Sequence, residues 1–221
     1  GFPRVADLIT IDALKVEIDE SIINELDNLH SCTPGKRLGD PLVVKGSKKS
    51  WYLLVFGKET VHAKKVPNIM NIVTTIAKSQ SAIPVGACIG TMKPFTWLKF
   101  HEGFWGYAQY ITRCLVVLDG PSYGCGVHVA GQAPISTPPG VVVSFDDCDM
   151  HEAWNITPDE RATLIVDLMI PQDGFPDFTQ GVKSINRIVK TVKRNKDPQN
   201  EARAQLSIET AKVARGELKN N

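Results

Sequence analysis

Between residues 82 and 170 the chain breaks into short apolar runs, at 85–89, 95–100, 110–118, 126–130, 140–145 and 163–170, divided by glycine, proline and polar turn residues. Runs of this length and spacing suit strands, and several in succession predict an antiparallel all-β body, a sandwich or a barrel. The flanks read differently. Residues 14–18 alternate like a short strand, and Asp19 can cap a helix that carries Ile22, Ile23, Leu26 and Leu29 at helical spacing. Residues 32–49 are rich in Gly, Pro and Lys and read as loop, and 51–56 as a strand. Pro67 suits the first turn of a helix bearing Ile69, Ile72, Val73 and Ile76. Beyond Pro171 the sequence turns polar and helical, and 195–221 is charged and weakly amphipathic. We therefore expect one domain over 1–221, mainly β with flanking helices, with its core at 82–171 and a helical extension at 172–221. That extension is the candidate contact for a homo-oligomer.

Composition narrows the function. At 221 residues, 43% hydrophobic and 22% charged, the chain can bury a full core. A net charge of +1 sets up no global field for nucleic acid or an anionic membrane. No apolar run is long enough to span a bilayer, and the start lacks a signal-peptide core. Gly1 stands where an initiator Met would, which leaves room for a removed leader. The five cysteines, Cys32, Cys88, Cys114, Cys125 and Cys148, have no compact spacing. An odd set of this kind reads as free thiols in a reducing compartment, so we expect a cytoplasmic protein. No P-loop, dinucleotide-binding glycine pattern, nucleophile elbow or internal repeat is present.

The chemistry concentrates on two histidines. His101 sits in Phe100-His101-Glu102-Gly103, and His151 follows an apolar run and the polar corner 146–149. Either alone reads as an ordinary hydrogen-bonded histidine. Together, on separate strands of one β body with Arg161 a little beyond, they suit an iron(II) site whose arginine holds an organic acid. Asp146 and Asp147 cannot both face a metal, because adjacent strand residues point to opposite faces. They fit better as groups that hold the corner positioning His151. Cys148 and His151 have a Cys-x-x-His spacing that could serve zinc, but no second pair matches it.

Four phrases then stand in a familiar order: His101-Glu102-Gly103; the run Gly124-Cys125-Gly126-Val127-His128-Val129; Phe145-Asp146-Asp147 leading to His151-Glu152-Ala153-Trp154-Asn155; and Arg161 with Leu164-Ile165-Val166-Asp167 and Pro171. In these the chain resembles the aspartyl/asparaginyl β-hydroxylase family of iron(II)/2-oxoglutarate oxygenases, over about a third of its length. The resemblance implies a double-stranded β-helix, the cupin-like jelly roll. It implies His101 and His151 as iron ligands and Arg161 as the grip on the 2-oxoglutarate carboxylate. A second family arginine falls on Arg113, an arginine of the Gly-Cys run on His128, and a small hydroxyl residue near Gly90 or Thr91. A family histidine falls on Leu115. Gly103 stands where most such oxygenases place a carboxylate, an absence the family shares; it would leave room for water or a halide.

The resemblance thus implies a dioxygenase that uses iron(II), 2-oxoglutarate and O2 to hydroxylate an unactivated carbon. Without the anchor and repeat-rich helical domain that often accompany protein-modifying members, we expect a small amino-acid-like or natural-product substrate. The group Phe104, Trp105, Tyr107 and Tyr110 is either core or a wall for that substrate. Two alternatives stand beside this reading: a non-catalytic jelly-roll binding module, prompted by Leu115 and His128, and a halogenating or ring-forming oxygenase, prompted by Gly103. We also expect Arg161→Lys to weaken 2-oxoglutarate while changing folding little.

Overall fold

The computed structural model describes residues 9–34, 43–55, 57–103 and 111–169. The aromatic group 104–110 and the extension 172–221 lie outside the described residues. Strands and helices follow in the order β1 (Ile9–Lys15), α1 (Glu20–His30), β2 (Val43–Lys45), β3 (Lys48–Val55), β4 (Lys58–Glu59), α2 (Pro67–Ser79), β5 (Ile83–Met92), β6 (Thr96–His101), β7 (Thr112–Asp119), β8 (Cys125–Val129), β9 (Ile135–Ser136), β10 (Val141–Asp146), β11 (His151–Asn155) and β12 (Arg161–Met169).

The strands form two antiparallel sheets, a larger one ordered β1-β10-β7-β12-β5-β3-β4 and a smaller one ordered β2-β6-β11-β8-β9. From β5 onward the chain crosses between them at almost every step, pausing only from β8 to β9. This winding is the expected jelly roll, mainly β, and among the described residues the helices lie before the core.

Period-two alternation sorts the larger sheet's residues between two environments. On β12, Ala162, Leu164, Val166 and Leu168 pack with Ile22, Leu26 and Leu29 of α1 and Ile69, Val73 and Ile76 of α2. Leu164, Val166 and Leu168 are each 0% exposed, and burying each contributes about 1.5–3 kcal/mol. The intervening positions, Arg161, Thr163, Ile165 and Asp167, face the smaller sheet. There Ile165 joins Leu115, Val127, Val129, Val143 and Phe145 in a separate apolar cluster.

The helices start where the sequence places them. Asp19 accepts a hydrogen bond from the Ile22 amide (3.1 Å), and Pro67 opens α2. Val66, at the α2 cap position, offers no side-chain oxygen. Buried Glu25 of α1 does so instead, accepting from the amides of Asn68 (2.8 Å) and Ile69 (2.9 Å). A carboxylate at a helix N-terminus is favoured by the exposed amides and the dipole.

Other boundaries moved. The alternating segment at 14–18 is the exit of a strand that ends at Lys15, and Val16 turns away to donate to the Gly140 carbonyl (2.9 Å). The expected loop at 32–49 contains β2 and the first residues of β3. Strand β11 lacks an apolar run altogether, for reasons that lie in the site.

Candidate active site

His101 ends β6 and His151 begins β11, and the two residues are direct partners across the antiparallel pair. Simple alternation would not put them together. Ala153 faces Leu98, so two steps along β11 match three along β6. The extra residue is a bulge, and it rotates His101 onto the inward face it shares with Leu98. Both imidazoles are buried, and their ring centroids lie 4.3 Å apart. Phe145 packs against His151 at 4.7 Å between ring centroids.

Each ring is tied in the same way. His101 Nδ1 lies 2.7 Å from the Lys99 carbonyl, and His151 Nδ1 lies 2.7 Å from the Asp149 carbonyl. A carbonyl oxygen only accepts, so both Nδ1 atoms carry a proton, and in a neutral ring this leaves the lone pair on Nε2. Metal-binding histidines are commonly held in this tautomer by such bonds. Burial, then the neighbouring His101 and Arg113, pushes the His151 pKa well below the ordinary 6.5. The ring is therefore neutral at pH 7, as a ligand must be. Among the described residues no group of three His, Cys, Asp or Glu side chains gathers at metal-ligand spacing. The histidine pair is the protein's own offer.

Beside the pair lies an ion cluster. Arg113 Nε and Nη2 donate to the two carboxylate oxygens of Asp167 (2.8 and 3.0 Å), and Nη1 lies 2.6 Å from Asp147 Oδ1. Desolvation opposes the Arg113 charge, but Asp147 and Asp167 outweigh it and raise its pKa. Both arms of its fork are thus engaged by the protein, which does not leave Arg113 as a simple anion grip. Asp147 is 0% exposed, and its carbonyl accepts from the Gly103 amide (2.8 Å). A Cβ at position 103 would land on the Asp147 carboxylate. The space beside Gly103, expected to be open for water or a halide, is filled from another part of the chain. Asp146 holds the corner through the Cys148 amide (3.1 Å).

Arg161 begins β12 and is 2% exposed. Its Nη1 donates to the Trp154 carbonyl (3.1 Å) and its Nη2 to Thr137 Oγ1 (2.9 Å), while buried Nε has no partner. Trp154 lies three residues past His151, about 10 Å along an extended strand. Asn155 fixes the corner that aims Arg161: its Nδ2 donates to the Asp159 carbonyl (2.8 Å) and its Oδ1 accepts from Thr157 Oγ1 (2.7 Å). Among the described residues no carboxylate pairs with Arg161. The nearby Cys125 thiol is pushed upward by burial, against the pull of Arg161, so it supplies no counter-charge. A buried guanidinium without an anion is unfavourable by several kcal/mol, roughly, which makes this end of the interior a site for an anion. Thr163, two residues on and on the same face, adds a buried hydroxyl with no partner.

Two expected site residues lie elsewhere. His128 faces outward, because Val127 and Val129 on either side of it face in. Its Nδ1 lies 3.0 Å from Glu152 Oε1 on the outer surface, where Trp97 also donates to Glu152 (2.9 Å). Thr91 pairs with Ala162 and shares the helix-covered face of Ala87 and Ile89. Neither reaches the interior that holds His101, His151 and Arg161. Thr163, Thr137, Asn155 and Asp167 were not singled out from sequence. Asn155 and Asp167 stood within the family phrases without a role assigned, and Thr163 had its two-residue spacing from Arg161; Thr137 had no signal.

Known proteins share the family pattern and the fold. Residues 19–171 match the model of the aspartyl/asparaginyl beta-hydroxylase family. No curated protein sequence matches the chain. Among solved structures, a Pseudomonas putida prolyl-4-hydroxylase is similar at a TM-score of 0.50 and 9% identity, covering 76% of this chain and 94% of that one. A Trichoplax adhaerens prolyl hydroxylase, solved with a hypoxia-inducible-factor peptide, is similar at 0.50 and 9%, covering 67% and 76%. SnoN, a non-heme α-ketoglutarate-dependent epimerase of nogalamycin biosynthesis, is similar at 0.50 and 13%, covering 70% and 76%. At these identities the likeness is one of fold; the match of the family model spans most of the chain, and the protein belongs to the aspartyl/asparaginyl beta-hydroxylase family.

Proposed function

We propose that the chain is an iron(II)- and 2-oxoglutarate-dependent dioxygenase that hydroxylates an unactivated carbon of a small, amino-acid-like organic substrate. One observation carries the reading. Two buried imidazoles, each with its Nδ1 tied to a backbone carbonyl, face each other at one end of the interior, and a buried arginine without a counter-anion stands about 10 Å along β11 from them. A metal at the first and the far carboxylate of a dicarboxylate at the second would span that separation.

The residues fit these groups. His101 and His151 would hold iron(II) through Nε2, with their Nδ1 bonds fixing the rings. Arg161 and Thr163 would hold the distal carboxylate, through Nε and Oγ1. Iron with 2-oxoglutarate supplies the oxidising power: O2 is consumed, succinate and CO2 leave, and a C–H bond becomes C–OH. The protein's share is placement and dryness. Leu115, Val127, Val129, Val143, Phe145 and Ile165 form the apolar cluster between the two sheets, which keeps bulk water from the charged groups and strengthens their interactions.

The halogenating alternative is disfavoured by Asp147. Its buried carboxylate takes the room beside Gly103, and a halide there would meet a like charge. The non-catalytic alternative drew on Leu115 and His128; His128 faces outward, while Leu115 belongs to the interior apolar cluster, so only Leu115 bears on the interior. The test is succinate formation from 2-oxoglutarate in air, for wild type, His101→Ala, His151→Ala and Arg161→Met, with mass analysis of products with and without bromide. Gain of one oxygen atom, lost in all three variants, is expected. Succinate formation that persists in both histidine variants would remove the proposal.

A further inference from the structure

We propose that Cys32 and Lys65 form an oxidation-dependent covalent bridge, Sγ–O–Nζ, which ties the end of α1 to the turn that leads into α2. The inference is independent of the reading of the interior.

The two side chains meet across thirty-three residues of sequence. Lys65 Nζ donates to Cys32 Sγ at 3.1 Å, and the thiol donates in turn to the Asn28 carbonyl at 3.4 Å. The proton on sulfur is thus turned away from Lys65, and a sulfur lone pair faces the nitrogen. A separation of 3.1 Å is about the summed length of one S–O and one N–O single bond, so one bridging oxygen fits with a small inward movement of the lysine. Lys65 is exposed and Cys32 half-buried, so dissolved oxygen reaches the contact. Among the described residues no carboxylate pairs with Lys65.

The backbone holds both ends in place. The Cys32 amide donates to the Leu29 carbonyl (2.9 Å), and the Cys32 carbonyl accepts from Nε1 of buried Trp51 (3.2 Å). Lys65 closes the short helical turn Ala63–Lys65, its amide donating to the His62 carbonyl (3.0 Å), and the next residue, Val66, is 0% exposed. Two reacting groups fixed in contact react as one molecule, which raises the effective concentration of each at the other.

The step balances with O2 as oxidant. The thiol, the protonated amine and one O2 give Sγ–O–NζH, one water and one proton. One S–H and two N–H bonds break, and one S–O and one N–O bond form. Sulfur and nitrogen each give up two electrons, and the two oxygen atoms take up the four. One oxygen becomes the bridge and the other the water. A thiol reductant returns the four electrons and restores thiol, amine and water, as with the reversible forms of oxidised cysteine. The bridge would join a contact already made without it, where Glu25 of α1 holds the first amides of α2. It would also close a loop that contains β2, β3 and β4, which constrains the unfolded chain.

The test uses the full chain, prepared under anaerobic reducing conditions and then divided between oxygen-saturated buffer and continued anaerobiosis. Intact mass, peptide mapping and melting temperature are read for wild type, Cys32→Ser and Lys65→Arg. In oxygen the wild type should gain one oxygen atom and lose two hydrogens, with the Cys32 and Lys65 peptides joined, and dithiothreitol should separate them. The bridged protein should melt roughly 5–15 °C above the reduced one. Neither variant should yield joined peptides. Joined peptides without the added oxygen would show a direct S–N bond and overturn the bridge. Oxidation of Cys32 with Lys65 unmodified, or an unchanged mass after prolonged exposure to oxygen, overturns it too. Joined peptides in Lys65→Arg would make another amine the partner, and equal melting of the bridged and reduced proteins would overturn the bridge as a tie.

Discussion

Arg161→Lys separates what the protein asks of this side chain from what the cosubstrate asks of it. Lysine keeps the charge but has one compact ammonium in place of a planar fork. Arg161 donates to both the Trp154 carbonyl and Thr137 Oγ1 from separate arms of its fork, and a lysine's single compact ammonium does not reproduce that geometry. A hydrogen bond from a charged group contributes about 1.5–3 kcal/mol, so the variant should lose about that much stability. For a protein of this size that is a fall in melting temperature of roughly 3–12 °C. From sequence we expected folding to change little; the engaged fork corrects that. The 2-oxoglutarate contact goes too, and the affinity should drop roughly tenfold to a hundredfold. Thermal unfolding and calorimetric 2-oxoglutarate titration of the same preparation measure both effects. A variant with wild-type melting and wild-type affinity would show that the guanidinium is not held between the sheets, and the reasoning would fail.

Further outcomes follow from the same geometry. Gly103→Ala should destabilise the fold and weaken metal binding, because the added methyl must displace the Asp147 carboxylate; normal melting and normal iron binding would contradict the packing described. Arg113→Met should cost about 3–5 kcal/mol of stability, since Asp147 and Asp167 would stay buried without their cation, and chemical denaturation reads this directly. The metal-free protein should lose stability as pH falls below 6.5. The His151 pKa is depressed in the fold, first by burial, so the unfolded chain takes up a proton that the folded one refuses, at about 1.4 kcal/mol per pH unit. The His62 pKa is lowered by burial too and acts in the same direction, so His151→Gln should flatten the profile in part. A melting temperature constant from pH 7 to pH 5 would contradict this.

How much of this was legible depends on where the information lies. Strands such as β7 and β12 are buried on both faces and appear as continuous apolar runs, so the β body and the helix starts at Asp19 and Pro67 could be read directly. Strand β11 could not. Its inward positions are His151, Ala153 and Asn155, one for the proposed metal site and one for the Arg161 corner, and a strand that turns polar groups inward shows no apolar alternation. Strands β2, β4 and β9 are too short to leave a pattern. The bulge before His101 is visible only in the register with β11; without it His101 would face outward with Trp97. The outward face of His128 was readable, since Val127 and Val129 flank it in strict alternation, and so was that of Thr91, which shares parity with Ile89. The Arg113 cluster was not, because its three members come from β7, β12 and the corner after β10. Nor was Asp147's place beside Gly103, which joins segments forty-four residues apart.

The central claim is that His101 and His151 hold iron(II) within reach of a 2-oxoglutarate bound to Arg161. Anaerobic addition of iron(II), then 2-oxoglutarate, to the full chain tests it most directly. The account predicts one iron per chain and a visible metal-to-ligand charge-transfer absorption that requires both additions. It predicts that the absorption is absent from His101→Ala and His151→Ala proteins whose circular dichroism remains that of the folded chain. No absorption in the wild type, or an undiminished one in His151→Ala, would contradict it.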